Sequence, residues 1–102
     1  MKKRNIGKAT SAEDAKNNIL RALGGSDDLN RPFMKSSIGY AAFPDYSFKS
    51  PQGAAFSVAK LVREMEDDGL VRYVPTSHSK GYALTSKGRI AASHLQPPKN
   101  GD

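Results

Sequence analysis

A chain of 102 residues has room for one domain with a modest hydrophobic core, and 37% of its residues are hydrophobic. It contains no cysteine, which excludes disulfides and thiolate zinc sites and favours a reducing, cytoplasmic location. No apolar stretch is long enough to span a bilayer, and none follows the charged first residues as in a signal peptide. The formal net charge of +6 points to a polyanionic partner, because basic side chains displace counterions from phosphates.

The N-terminal region is predicted to be a flexible basic arm followed by a helix. Residues 1–10 carry four basic side chains and little apolar surface. The helix begins at Thr10 or Ser11, because each of these residues has an acid three positions later and can form a capping arrangement. It ends at Gly24 and Gly25, since glycine readily adopts the conformations that terminate a helix.

A short second helix is predicted between two prolines. Pro32 fits the first turn of a helix, where its missing N–H needs no partner. Met34 and Ile38 then recur at helical spacing, and Pro44 ends the helix. Residues 43–51 are aromatic and are bracketed by prolines, so we expect an ordered loop there.

The clearest helical pattern covers residues 52–68. Ser50 is placed to cap this third helix, Pro51 suits its first turn, and Gly69 ends it. Apolar side chains recur on one face, which we expect to be buried, and these are Ala54, Ala55, Val58, Leu61, Val62 and Met65. The opposite face carries Gln52, Phe56, Lys60 and Arg63.

A β-hairpin and a last helix are predicted after Gly69. Residues 70–75 form a first strand, residues 76–81 a polar turn, and residues 82–84 a returning strand. Thr85 or Ser86 then caps a helix that extends to about Leu95, and residues 96–102 are expected to be disordered. The predicted fold class is therefore α+β, mainly helical, with three helices, a two-stranded hairpin and a short C-terminal helix.

The segment between residues 58 and 91 resembles a known family. The sequence VAKLVREMEDDGLVRYV, a polar turn and GYALTSKGRIA are similar to the core of winged helix-turn-helix regulators of the multiple-antibiotic-resistance and phenolic-acid-response types. Five residues match the family phrase that joins the second wing strand to the next helix, namely Tyr82, Leu84, Thr85, Lys87 and Gly88. The resemblance is strongest over residues 51–92, and it implies a winged helix domain over residues 11–95, a recognition helix at 51–68 and a wing at 70–84.

The resemblance implies a small transcriptional regulator that binds double-stranded DNA. A recognition helix needs polar and basic side chains on its outward face, and Gln52, Ser57, Lys60 and Arg63 meet that need. Phe56 lies on the same face and is the fifth candidate contact. Further contacts to the backbone are expected from the wing and its surroundings, from Lys49, Arg72, His78, Lys80, Lys87 and Arg89. No metal or cofactor is expected, and a homodimer or a protein partner stays open.

Several of these residues have a simpler interpretation. Lys60 and Arg63 can pair with acids four positions later and form a solvated helix face. Phe56 can contact a thymine methyl group or a protein partner, but packing beneath the loop at 43–51, beside Tyr46 and Phe48, is favoured. The core, rather than a stacking surface, is the favoured position for three other aromatic residues, Tyr40, Phe43 and Tyr82.

The alternatives to DNA binding are a protein-binding module and an enzyme. The alternative is a winged helix module that binds another protein as an adaptor or inhibitor, because this fold also serves such modules. An enzyme is not expected. Neither histidine lies in a nucleophile motif, the acids at 64–68 lie in a row along a helix end, and no phosphate-binding loop is present.

Overall fold

The computed structural model describes residues 10–25, 32–77 and 80–95. Within these ranges the chain is an α+β fold of four helices and one two-stranded antiparallel sheet, which confirms the predicted class. The elements are α1 (Ala12–Gly24), α2 (Lys35–Ala42), α3 (Pro51–Asp67), β1 (Val71–Pro75), β2 (Lys80–Leu84) and α4 (Ser86–Ser93). Residues 1–9 of the predicted arm and the predicted tail at 96–102 lie outside the described residues. No helix in the described ranges combines the length and the apolar character that a membrane crossing needs.

Three hydroxyl side chains cap the helices, as the sequence predicts. The Ser11 Oγ accepts from the Asp14 N–H at 3.0 Å and the Ser50 Oγ from the Gly53 N–H at 3.2 Å. The Thr85 Oγ1 accepts from the Gly88 N–H at 3.0 Å. Each cap satisfies an N–H in the first turn that has no partner within the helix, which stabilises a helix by about 1 kcal/mol.

The start of the second helix differs from the prediction. Pro32 does not lie in the first turn, because the chain remains extended there and α2 begins three residues later. Phe33 is instead paired with Tyr82 in an antiparallel bridge, with N–H to oxygen distances of 2.8 and 2.9 Å in the two directions. This bridge satisfies the backbone of Phe33 across the sheet and leaves Met34 as an N-cap without a side-chain hydrogen bond.

The core lies between α1, α2, α3 and the inner ends of the strands. Its buried members are Ala15, Ile19, Leu20, Leu23, Ile38, Ala42, Val58, Leu61, Val62, Met65, Val71 and Leu84. The predicted buried face of α3 is confirmed except at Ala55, which is half-buried. Burial of each large aliphatic side chain stabilises the fold by about 1.5–3 kcal/mol.

The loop between α2 and α3 is held by aromatic packing around Phe48. The rings of Tyr46, Tyr40 and Phe43 lie 4.7, 5.7 and 6.4 Å from the Phe48 ring, measured between centroids. The predicted core position of Phe43 is supported, because it packs against the buried cluster. The prediction that Tyr40 lies in the core is wrong, because Tyr40 is 45% exposed.

The two strands pair in a register that sorts their side chains onto two faces. Tyr73 lies opposite Tyr82 and Pro75 opposite Lys80, whereas Arg72 lies opposite Ala83. Since directly opposed residues share a face and successive residues alternate, Lys80 lies on the same face as Tyr82 and Arg72 on the other. The second strand is longer than predicted, because Lys80 and Gly81 belong to the ladder and not to the turn.

Candidate nucleic-acid interface

The outward face of α3 is exposed, as its periodicity predicts. Gln52, Phe56, Lys60 and Arg63 are all exposed, on the side of the helix away from the core. Ser57 is half-buried, and its hydroxyl donates to the Ala54 carbonyl at 2.6 Å. This bond within the helix makes Ser57 the least available of the five predicted contacts.

The two cations in the middle of α3 form no ion pair with the acids that follow them. Glu64 is instead paired with Lys16 of α1, at 2.8 Å between Nζ and Oε1. The hydrogen bond and charge of Lys16 lower the pKa of Glu64 below its ordinary value, and Lys60 makes only a small contribution. Among the described residues, Lys60 and Arg63 therefore offer their charges to solvent or to a ligand.

An open groove of about 410 Å³ runs beside these two cations. It lies between α3, the start of α2 and the sheet, and its lining residues are Lys35, Ala59, Lys60, Arg63, Glu66 and Tyr82. The Lys35 Nζ is 5.9 Å from the centroid of the Tyr82 ring, within the range of a cation–π contact. Three cations and one carboxylate thus surround an aromatic floor.

Lys35 is a member of this group that the sequence interpretation missed. Its position depends on the bridge between Phe33 and Tyr82, which brings the start of α2 next to the sheet. The sequence carries one signal for this bridge, because Gly81 allows the close approach. A side chain there would press on the backbone of Phe33, with the carbonyl oxygen 2.6 Å from the added β-carbon.

Tyr82 is partly buried and keeps its proton. Burial raises the pKa of its phenol, and the nearby carboxylate of Glu66 raises it further. Its ring packs on that of Tyr73, with centroids 5.4 Å apart. The expectation that Tyr82 packs against the core is confirmed, although its ring also lines the groove.

The remaining predicted contacts are spread around α3. Lys49 is exposed two residues before the helix begins, and Lys87 lies at its other end, where the ammonium donates to the Asp68 carbonyl at 2.8 Å. The length of α3 separates these two positions by about 25 Å. Arg89 is exposed on α4, two residues after Lys87. His78 lies outside the described residues.

The favoured packing of Phe56 beneath the loop is wrong. Its side chain is 84% exposed, and it takes no part in the ring contacts that hold Phe48. The aromatic rings around Phe48 pack against one another, and Phe56 lies on the surface among polar and basic neighbours.

Comparison with known proteins gives no relative for this chain. No protein-family model, no curated protein and no solved structure matches it.

Proposed function

We propose that the chain is a winged helix domain that binds double-stranded DNA, with α3 as its recognition helix and the β-hairpin as its wing. The observation that carries this proposal is the pair of exposed cations on α3, Lys60 and Arg63, which are in no ion pair among the described residues. Helix, helix, helix, hairpin, helix is the element order of winged helix domains. The bridge at Phe33 supports the fold assignment further, because it adds a third extended segment to the sheet.

The geometry suits entry of α3 into the major groove. That groove is about 12 Å wide and admits one helix with polar and cationic side chains on its leading face. Gln52 can pair with adenine, and Lys60 or Arg63 with guanine. Lys35 lines the groove, and Lys80 shares the sheet face of Tyr82, so both are candidates for phosphate contacts.

The acids of α3 limit how the helix can approach. Glu66 lines the groove beside Arg63, and Asp67 and Asp68 are exposed at the helix end. Phosphates would be repelled there, so the part of α3 from Pro51 to Arg63 forms the leading part. This orientation brings the exposed cations Lys60 and Arg63, rather than the acids at the helix end, to the DNA.

Fluorescence anisotropy against duplex DNA at several salt concentrations tests the proposal. We expect the affinity to fall log-linearly as salt rises, because bound phosphates release counterions. Arg63→Ala is expected to weaken binding to a selected sequence by about 1–3 kcal/mol and to weaken random DNA less. Equal losses on both would remove Arg63 as a base contact, and no binding at low salt would overturn the proposed function.

A second function, binding of a protein partner, is favoured by one observation. Phe56 and Tyr46 expose 84% and 64% of their side chains, and exposed aromatic residues are enriched at protein interfaces. In that case the cations would serve solubility only. A failure to bind DNA at low salt favours this second function.

A further inference from the structure

Phe56 is the most exposed large hydrophobic residue of the described chain. It exposes 84% of its side chain, compared with 64% for Tyr46 and 60% for Ile90. The aromatic loop nearby does not cover it, because Tyr40, Phe43 and Tyr46 all pack on Phe48. Phe56 is therefore not part of the packing of the described residues.

Its neighbours on the same face are polar or basic. Gln52 lies one turn before it, Lys60 one turn after it and Arg63 two turns after it, all exposed. With a rise of 1.5 Å per residue, these side chains leave the helix about 6 Å to either side of Phe56 and about 10 Å beyond it. Any surface that accepts Phe56 must therefore accept hydrogen-bonding and cationic groups at the same time.

The floor of the major groove meets that requirement. Each base pair presents hydrogen-bonding groups there, and phosphates border the groove on both sides. The 5-methyl group of thymine is the single apolar group in the pattern. A phenyl ring has neither donor nor acceptor, so this methyl group is its matching contact.

We propose that Phe56 contacts a thymine methyl group and thereby makes thymine the preferred base opposite the N-terminal half of α3. This inference rests on the proposed DNA-binding function and adds a specificity-determining residue to it. Gln52, Lys60 and Arg63 contact neighbouring bases through hydrogen bonds, and Phe56 adds selection for the methyl group.

Replacement of thymine by uracil tests the contact directly, because it removes one methyl group and keeps the base pairing. A duplex is first selected from a random pool with the wild-type chain, and each thymine is then replaced in turn. At one or two positions we expect the wild-type affinity to fall about fourfold per methyl group, the effect of losing one buried apolar carbon. Phe56→Ala is expected to bind thymine and uracil duplexes equally, whereas Phe56→Leu keeps part of the preference.

Tyr46→Ala is the matched control, since Tyr46 is the next most exposed aromatic residue but lies outside α3. This variant is expected to keep the full preference for thymine. Uracil duplexes that bind the wild type as well as thymine duplexes at every position would overturn the inference while leaving DNA binding intact. An equal loss on uracil substitution in the wild type and in Phe56→Ala would also overturn it. A wild-type chain that binds no duplex overturns the proposed function itself.

Discussion

Gly39 of α2 lies directly against the backbone of α3. A β-carbon at this position would overlap the backbone carbonyl of Ala54 in α3, which no side-chain rotation can relieve. Gly53 is also helical, but an added β-carbon there would make only ordinary contacts, 3.7 Å from the Ser50 Oγ and 4.0 Å from the Phe48 ring. The contact between α2 and α3 therefore requires glycine at position 39, whereas position 53 has room for a side chain.

The change Gly39→Ala is expected to destabilise the chain by about 1–3 kcal/mol, because the helices must move apart. Gly53→Ala is its control, and we expect a gain of up to about 1 kcal/mol from the higher helix propensity of alanine. Urea unfolding followed by circular dichroism measures both. A Gly39→Ala variant as stable as the wild type would show that this contact does not set the distance between α2 and α3.

Helical periodicity predicts the exposure of Gln52, Phe56, Lys60 and Arg63, but it does not predict that Ser57 is half-buried. The exposure of Lys60 and Arg63 follows from helical geometry once Val58 is placed on the buried face. The partner of Glu64 could not be predicted in this way. Lys16 lies in another helix, and a contact between helices depends on packing that local spacing does not encode.

The junction between α3 and α4 depends on Thr85. Its hydroxyl donates to the Gly69 carbonyl and accepts from the Gly88 N–H. One side chain thus joins the turn after α3 to the start of α4. The Lys87 ammonium adds a bond to the Asp68 carbonyl, and Gly88 leaves room for the Leu70 carbonyl. The segment at residues 82–88 therefore connects the end of α3 to the start of α4.

Thr85→Ala is expected to lower the free energy of unfolding by about 2 kcal/mol, from a lost helix cap and a lost hydrogen bond. Ser11→Ala removes a cap alone and is expected to cost about 1 kcal/mol. Thr85→Ser keeps both bonds and should remain close to the wild type. Equal losses for Thr85→Ala and Ser11→Ala in chemical unfolding would contradict the joining role.

The second helix shows why some element boundaries resist prediction. Pro32 suits the first turn of a helix by every local criterion. The bridge between Phe33 and Tyr82 overrides that preference, because it supplies hydrogen bonds to the backbone of Phe33. Its two residues are 49 positions apart, so local sequence does not reveal the pairing. Caps and glycine stops are local signals, so the bounds of α1, α3 and α4 were predicted more closely.

The two basic residues of the described hairpin strands lie on opposite faces of the sheet. Lys80 shares a face with Tyr82 and hence with the groove beside Lys60 and Arg63, whereas Arg72 points from the opposite face. The sequence could place both in the hairpin but could not separate them, because the separation depends on the strand register. The geometry therefore favours Lys80 over Arg72 as a phosphate contact.

Lys80→Ala is expected to weaken binding to all duplexes by a similar factor and to reduce the slope of log affinity against log salt by about one. Arg72→Ala removes the same charge from the same hairpin, and we expect it to leave that slope nearly unchanged. Anisotropy titrations over a range of salt concentrations measure the two slopes. Equal effects of the two variants would place both sheet faces at the DNA.

The two edges of the sheet differ in the described part of the chain. In the described part of the chain β2 is flanked by β1 and Phe33, whereas β1 pairs only with β2 and leaves its outer edge unpaired. Such edges recruit strands from neighbouring chains. The exposed charge of Arg72 and the missing N–H of Pro75 oppose this. Pairing of β1 with the same strand of a second copy into a continuous sheet is therefore disfavoured.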